Sequence, residues 1–281
     1  MGYTLIQTGA QLAKFENYVA DHNITRIAMD FEGEFNLHIY GRKLCLIQLF
    51  DNKNFFLIDP FNIADSELIR FFTNKKIVKY MFGCGSDMEL IYYQYGVKLK
   101  SVFDLQLCTE VLNLPFQGLD RIINEVLHVE IKNKKMYQMF NWTVRPIRKD
   151  ALEYALGDVK YLFEIYACFM DEIKKQNLWD VLIEKMVKSE FDYEKDRKPK
   201  LLTSKEYLAL PRDKKERFNT LFEAREALAK KFNLPPNLVI ANSNLFVLTA
   251  DIRYADTLPF CNKINGKMKE EITDVLSKLH F

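Results

Sequence analysis

Thr25-Arg26-Ile27-Ala28-Met29-Asp30-Phe31-Glu32 decides how this chain folds. Its β-branched and apolar residues predict a strand. Alternate side chains of a strand point to the same face. Asp30 and Glu32 therefore project together, while Ile27 and Met29 face an interior. Two carboxylates held that close repel and raise each other's pKa unless a cation lies between them. Hard oxygen ligands of this kind suit Mg²⁺ or Mn²⁺. The pattern is weak by itself, because D-x-E recurs at Asp65, Asp87 and Asp192 and a solvated strand end is the ordinary reading of any one of them.

The chain around this strand reads as alternating α and β elements. Residues 9–20 carry apolar residues at Leu12, Phe15 and Val19, a helical spacing. Leu44–Phe50 and Asn54–Ile58 read as further strands, the latter stopped by Asp59-Pro60, and the short connections predict an antiparallel meander. A helix near 65–73 precedes a fourth strand over Lys76–Phe82, broken by Gly83 and Gly85. From there the pattern is helical: 87–95, 104–113, 118–128, and one long helix from Lys149 to Gln176, bent or straight. Residues 193–205 are polar, contain Pro199 and read as a linker. Beyond them a helix over 213–232 ends at Asn233 before Pro235-Pro236, and shorter helices follow near 242–249 and 267–279.

At 281 residues the chain has room for two domains, and 48% hydrophobic with 28% charged residues is ordinary for a globular protein. No run of about 18 uncharged apolar residues suggests a membrane span, and the first residues lack the basic-then-apolar order of a signal peptide. The five cysteines are scattered and form no C-x-x-C pair, which argues against a zinc site or a disulfide framework and fits a reducing cytoplasm. The four histidines show no zinc spacing either. The net charge of +2 hides an asymmetry: residues 193–281 carry 17 Lys+Arg against 12 Asp+Glu, a net of +5, leaving 23 against 26, a net of −3, for residues 1–192. A basic tail beside an acidic main part suits a nucleic-acid binder whose catalytic part holds cations.

Two further elements carry chemistry. Tyr154 and Asp158 lie four residues apart, on one helical face, in the single Y-x-x-x-D of the chain. Asp87 opens a helix after the strand ending at Phe82. Taken singly, each has a plain structural reading: a half-buried tyrosine beside an exposed aspartate, and an acid favoured by a helix dipole. Their order is more telling. An acidic pair on the first core strand, an aspartate after a later strand, then Tyr and Asp on a long helix resembles the DEDDy 3′→5′ exonucleases, and most closely the ribonuclease D family. Leu44–Leu49, Ile58-Asp59-Pro60-Phe61, Val102–Gln106, Gly118-Leu119 and Trp142–Pro146 resemble family segments in the same order, over about residues 24–178. Phe82 departs from a frequent family histidine, and Met136, Phe140 and Asn141 replace polar residues.

The resemblance implies a ribonuclease-H-like α/β fold, a mixed five-stranded sheet flanked by helices, over 1–192. It further implies a linker at 193–208 and a smaller all-α domain over 209–281, similar to the helicase-and-RNase-D C-terminal (HRDC) domain through Arg225–Ala229, Leu234-Pro235-Pro236 and Leu258-Pro259. Asp30, Glu32, Asp87 and Asp158 would hold two divalent ions, Mg²⁺ or Mn²⁺, and Tyr154 would orient the attacking water. Lys135 and Arg145 fall where the family has a Lys and an Arg and would contact nucleic acid. The implied substrate is a single-stranded 3′ end, RNA favoured. A DNA exonuclease of the proofreading or Werner type and a non-catalytic nucleic-acid binder on the same fold are the competing readings.

Overall fold

The computed structural model describes residues 2–131, 137, 139–189, 193 and 198–279. Two compact units emerge, one built from Met1–Gly33 and Arg42–Tyr193, the other from Glu34–Gly41 and Glu194–Phe281.

The first unit is organised around a sheet of six strands: β1 (Tyr3–Ile6), β2 (Arg26–Phe35), β3 (Arg42–Phe50), β4 (Phe55–Ile58), β5 (Val78–Met81) and β6 (Val102–Asp104), in the order β1-β4-β3-β2-β5-β6. β3 and β4 run antiparallel, whereas β1–β4, β2–β5 and β5–β6 are parallel, so the sheet is mixed. It has one strand more than the five expected. The strands that sequence periodicity did not mark are β1 and β6, at four and three residues. Both lie at the sheet edges, and neither is long enough to display alternation.

Helices cover both faces. On one side α1 (Gly9–Asp21), α2 (Asp65–Phe72) and α3 (Gly85–Tyr95) bury Leu12, Phe15, Leu68, Phe71 and Leu90 against Ile27, Met29 and Phe31 of β2. On the other lie α4 (Gln106–Val111), α5 (Leu119–Leu127), α6 (Lys149–Lys160), α7 (Leu162–Lys175) and α8 (Trp179–Lys188). There Ala28 packs with Val159, Leu162 and Phe169, and Leu46 and Leu57 with Leu152, Ala155 and Leu156. The alternation of β2 thus decides everything that follows. Its odd-numbered residues serve one core, and its even-numbered residues, Ala28, Asp30 and Glu32, face the side that α6 covers. The long helix expected from 149 to 176 is two helices that meet at Tyr161.

The second unit is all-helical: α9 (Lys205–Leu208), α10 (Arg212–Phe232), α11 (Pro236–Val239), α12 (Asn242–Ala250) and α13 (Gly266–Ser277). Its core is Phe218, Leu221, Leu228, Leu245, Leu248, Ile272 and Leu276. α10 stops at Asn233, which adopts φ 51°, before Pro235, as its sequence predicts. Arg225 is 3% exposed and donates to the Ile240 carbonyl, Asn242 Oδ1 and Glu226 Oε1. Leu201, Leu202 and Tyr207 pack on this core, so the later part of the expected 193–208 linker belongs to the helical unit. So does the 34–41 segment between β2 and β3, where Glu34 is 1% exposed. Its carboxylate accepts from the backbone N–H of Leu37 and His38 and faces His38 Nδ1 at 3.0 Å.

Candidate metal centre and its relatives

Asp30, Glu32 and Asp158 come together: one carboxylate oxygen from each lies within 4.8 Å of the others, which is a set that can hold a metal ion. The elements explain the meeting. β2 sends Asp30 and Glu32 to the α6 side, and α6 seats Ala155, Leu156 and Val159 in the core. That seating turns Asp158, 8% exposed, toward the strand. Asp87 stands outside this trio, in the first turn of α3, yet its charge is the strongest of those acting on Asp30.

The electrostatics of the cluster are unfavourable without a cation. Burial holds the Asp30 carboxyl well above the usual carboxylate range, and the charges of Asp87, Asp158 and Glu32 push it further; a backbone hydrogen bond at Phe31 opposes them. Asp87 is pushed up to about 7, by burial first and by Asp104 second. A buried group of like charges is stable only when paired, protonated or coordinating a cation. The donor set therefore fits a hard divalent ion.

Tyr154 is bound into the same field. Burial raises its pKa, as do, in decreasing order, the charges of Asp158, Glu32, Asp30 and Asp120. Its ring stacks on Tyr137, with centroids 4.6 Å apart, and lies near-parallel to Trp142 at 6.4 Å. The Tyr137 hydroxyl donates to Asp150, which also receives Arg148. Tyr137 carried no sequence signal; only folding sets it beside Tyr154.

The two expected nucleic-acid contacts fare differently. Lys135 lies outside the described residues. Arg145 is engaged within the protein: all five of its guanidinium N–H groups have acceptors. Nε donates to Asp59 Oδ2 at 2.6 Å, one terminal nitrogen to Asp59 Oδ1 and the Cys45 carbonyl, the other to the Trp142 and Val144 carbonyls. The guanidinium also lies 4.1 Å from the centre of the Phe61 ring. No N–H is left over for a phosphate.

The model of a 3′-5′ exonuclease domain matches residues 3–174. The chain belongs to the 3′-5′ exonuclease family. Relatives of this exonuclease domain include human exosome complex component 10, 24% identical over 278 residues, covering 90% of this chain and 30% of that protein. Ribonuclease D of Haemophilus influenzae is 32% identical over 151 residues, 53% of this chain and 37% of that protein. The chain thus spans about a third of the length of these curated relatives. The crystal structure of the catalytic core of RRP6 from Trypanosoma brucei superposes with a TM-score of 0.79 at 20% identity, covering 98% of this chain and 80% of that one. That likeness extends through the exonuclease domain and the helical unit, and it shows a shared fold. No helix among the described residues is long and apolar enough to cross a membrane.

Proposed function

We propose that this protein is a divalent-metal-dependent 3′→5′ exoribonuclease that removes single nucleotides from unpaired RNA 3′ ends. The observation that carries the reading is the meeting of Asp30, Glu32 and Asp158 within 4.8 Å, on a strand and a helix far apart in sequence. Membership of the exonuclease family supports the reaction, and relatives named ribonuclease D and exosome component 10 favour RNA over DNA.

In this reading Asp30, Glu32 and Asp158, with Asp87 beside them, would hold the divalent ions, two of Mg²⁺ or Mn²⁺. When bound, such ions neutralise phosphoryl charge, acidify a water and help the leaving oxygen. The protein's residues do the rest. Tyr154, whose raised pKa keeps its hydroxyl protonated, donates a hydrogen bond that aims the attacking water. The packed rings of Tyr137 and Trp142 hold it in that pose. The water oxygen bonds to phosphorus and the P–O3′ bond breaks. A nucleoside 5′-monophosphate departs, and the shortened strand keeps a 3′ hydroxyl. A terminal base has to enter unpaired, so single-stranded ends are the target.

The helical unit is proposed as an HRDC-like platform for the strand, through Arg212, Lys214, Lys215 and Arg217 on α10. The free cysteines suit a reducing, cytoplasmic setting. The test is to incubate 3′-labelled RNA and DNA oligonucleotides of one sequence with Mg²⁺ or Mn²⁺. Faster release of labelled mononucleotide from RNA, abolished in Asp158→Asn, is expected. Faster release from DNA would make the enzyme a deoxyribonuclease, and no release from either would leave only a binding protein.

A further inference from the structure

Asp104 ends the edge strand β6, opposite Met81 at the end of β5. Its carboxylate accepts four hydrogen bonds. Oδ1 takes the backbone N–H of Gly83 at 2.7 Å and of Gln106 at 2.9 Å. Oδ2 takes the backbone N–H of Cys84 at 3.2 Å and the Cys84 thiol at 3.5 Å. Gly83 and Cys84 are the last two of the three residues that join β5 to α3, and Cys84 is the N-cap of α3 yet makes no side-chain cap. Gly83 sits at φ +66°, in the left-handed region, and a Cβ there would come within 3.0 Å of Gln106 Oε1. The turn is therefore tight and closed by Asp104 from outside rather than by its own side chains. The Leu105 N–H bonds to the Met81 carbonyl at 2.8 Å and fixes the clamp to the strand beside it.

Asp87 lies three residues after the N-cap, in the first turn of α3. The side-chain position of a first-turn residue follows the path of the backbone that starts the helix. In this fold that path is held by Asp104.

We propose that Asp104 is a positioning residue of the metal centre: by clamping the Gly83–Cys84 turn it sets where the Asp87 carboxylate stands relative to Asp30, Glu32 and Asp158. The inference rests on the proposed metal-dependent exonuclease. Removal of the clamp should act on cation binding and turnover and leave the grip on the RNA chain alone. Groups that orient metal ligands typically change metal affinity or activity by about 10- to 100-fold when removed.

The experiment compares wild type with Asp104→Asn, which keeps size but sets an NH₂ against N–H donors. Calorimetric titration with Mn²⁺ is read beside kcat and KM on a single-stranded RNA oligonucleotide. Expected are native far-UV circular dichroism, Mn²⁺ affinity and kcat each weakened by at least about tenfold, and KM within about twofold. If Asp104→Asn does not fold, Gly83→Ala carries the test: it strains the same turn, keeps the carboxylate and should give the same signature. Mn²⁺ affinity and kcat unchanged in a folded variant would overturn the clamp while leaving the exonuclease intact. A drop in melting temperature alone would likewise reduce Asp104 to a fold-stabilising residue. A wild type that neither binds Mn²⁺ nor cuts RNA would remove both proposals.

Discussion

At the scale of single residues, Asp30 and Asp87 are acids kept in surroundings that disfavour their charge. With the fold holding Asp87 near 7 and the unfolded chain near 3.8, the folded state binds protons between those values that the unfolded chain has already released. Stability of the metal-free protein should therefore rise as pH falls from about 7.5 to about 5, since slope follows the difference in bound protons. Melting curves in a chelator check this. The rise should shrink in Asp87→Asn and flatten with saturating Mg²⁺, where cations take the place of protons; melting points that fall toward pH 5 equally in both proteins would contradict it. Strand and helix periodicity pair Asp30 with Glu32 and Tyr154 with Asp158, but only the order of these residues and Asp87 along the chain, which resembles that of the DEDDy exonucleases, sets the five apart in the sequence. What Arg145 does could not be read there. Its acceptor Asp59 is 86 residues away, and nothing local distinguishes an arginine that holds a loop from one that holds a phosphate.

Secondary-structure elements differ in how plainly their sequences announce them. β2 is long enough for alternation to show, β3 is a long buried apolar run, and α1, α2, α5, α10 and α13 have clear apolar faces. β1 and β6 owe their extended form to pairing with β4 and β5, a tertiary cause that short segments do not encode. β6 nonetheless carries Asp104. The segment from Trp142 to Pro146, between β4 and α6 in space, is tied down by the Arg145–Asp59 ion pair, in which Asp59 is 5% exposed. Removing one partner of a buried pair leaves an uncompensated charge, so Arg145→Met should lower unfolding free energy by about 3 kcal/mol, measured by urea denaturation. Arg148→Met breaks a pair that is 60% and 51% exposed and should change stability little. Equal effects from the two would contradict the anchoring role.

For the whole molecule, charge is divided along the sequence in the sense that the proposed tasks of its two parts require: a net of −3 over residues 1–192 and +5 over 193–281. The acidic balance accompanies a cation-holding centre, and the basic balance accompanies a strand-holding unit. If α10 grips phosphates, Arg212→Ala with Lys214→Ala should weaken single-stranded RNA binding. Its dependence on salt should flatten by about 0.7 in log–log slope for each phosphate no longer neutralised, read by fluorescence anisotropy from 50 to 200 mM salt. An unchanged slope would remove α10 from the interface. The two-part architecture could be read from the polar stretch after residue 192 and from the shift in charge. The attachment of residues 34–41 to the helical unit could not, since it depends on where a β-turn segment lies in space.

The most direct measurement is the rate at which 5′-labelled single-stranded RNA shortens one nucleotide at a time as Mg²⁺ or Mn²⁺ is titrated into chelator-treated protein. A ladder absent in chelator, rising with the metal to saturation, and reduced by about 10²- to 10³-fold in Asp158→Asn is the predicted result, of the size expected when electrostatic stabilisation of the transition state is removed. Shortening that proceeds in chelator, or equally well in Asp158→Asn, would contradict a metal centre built on Asp30, Glu32 and Asp158.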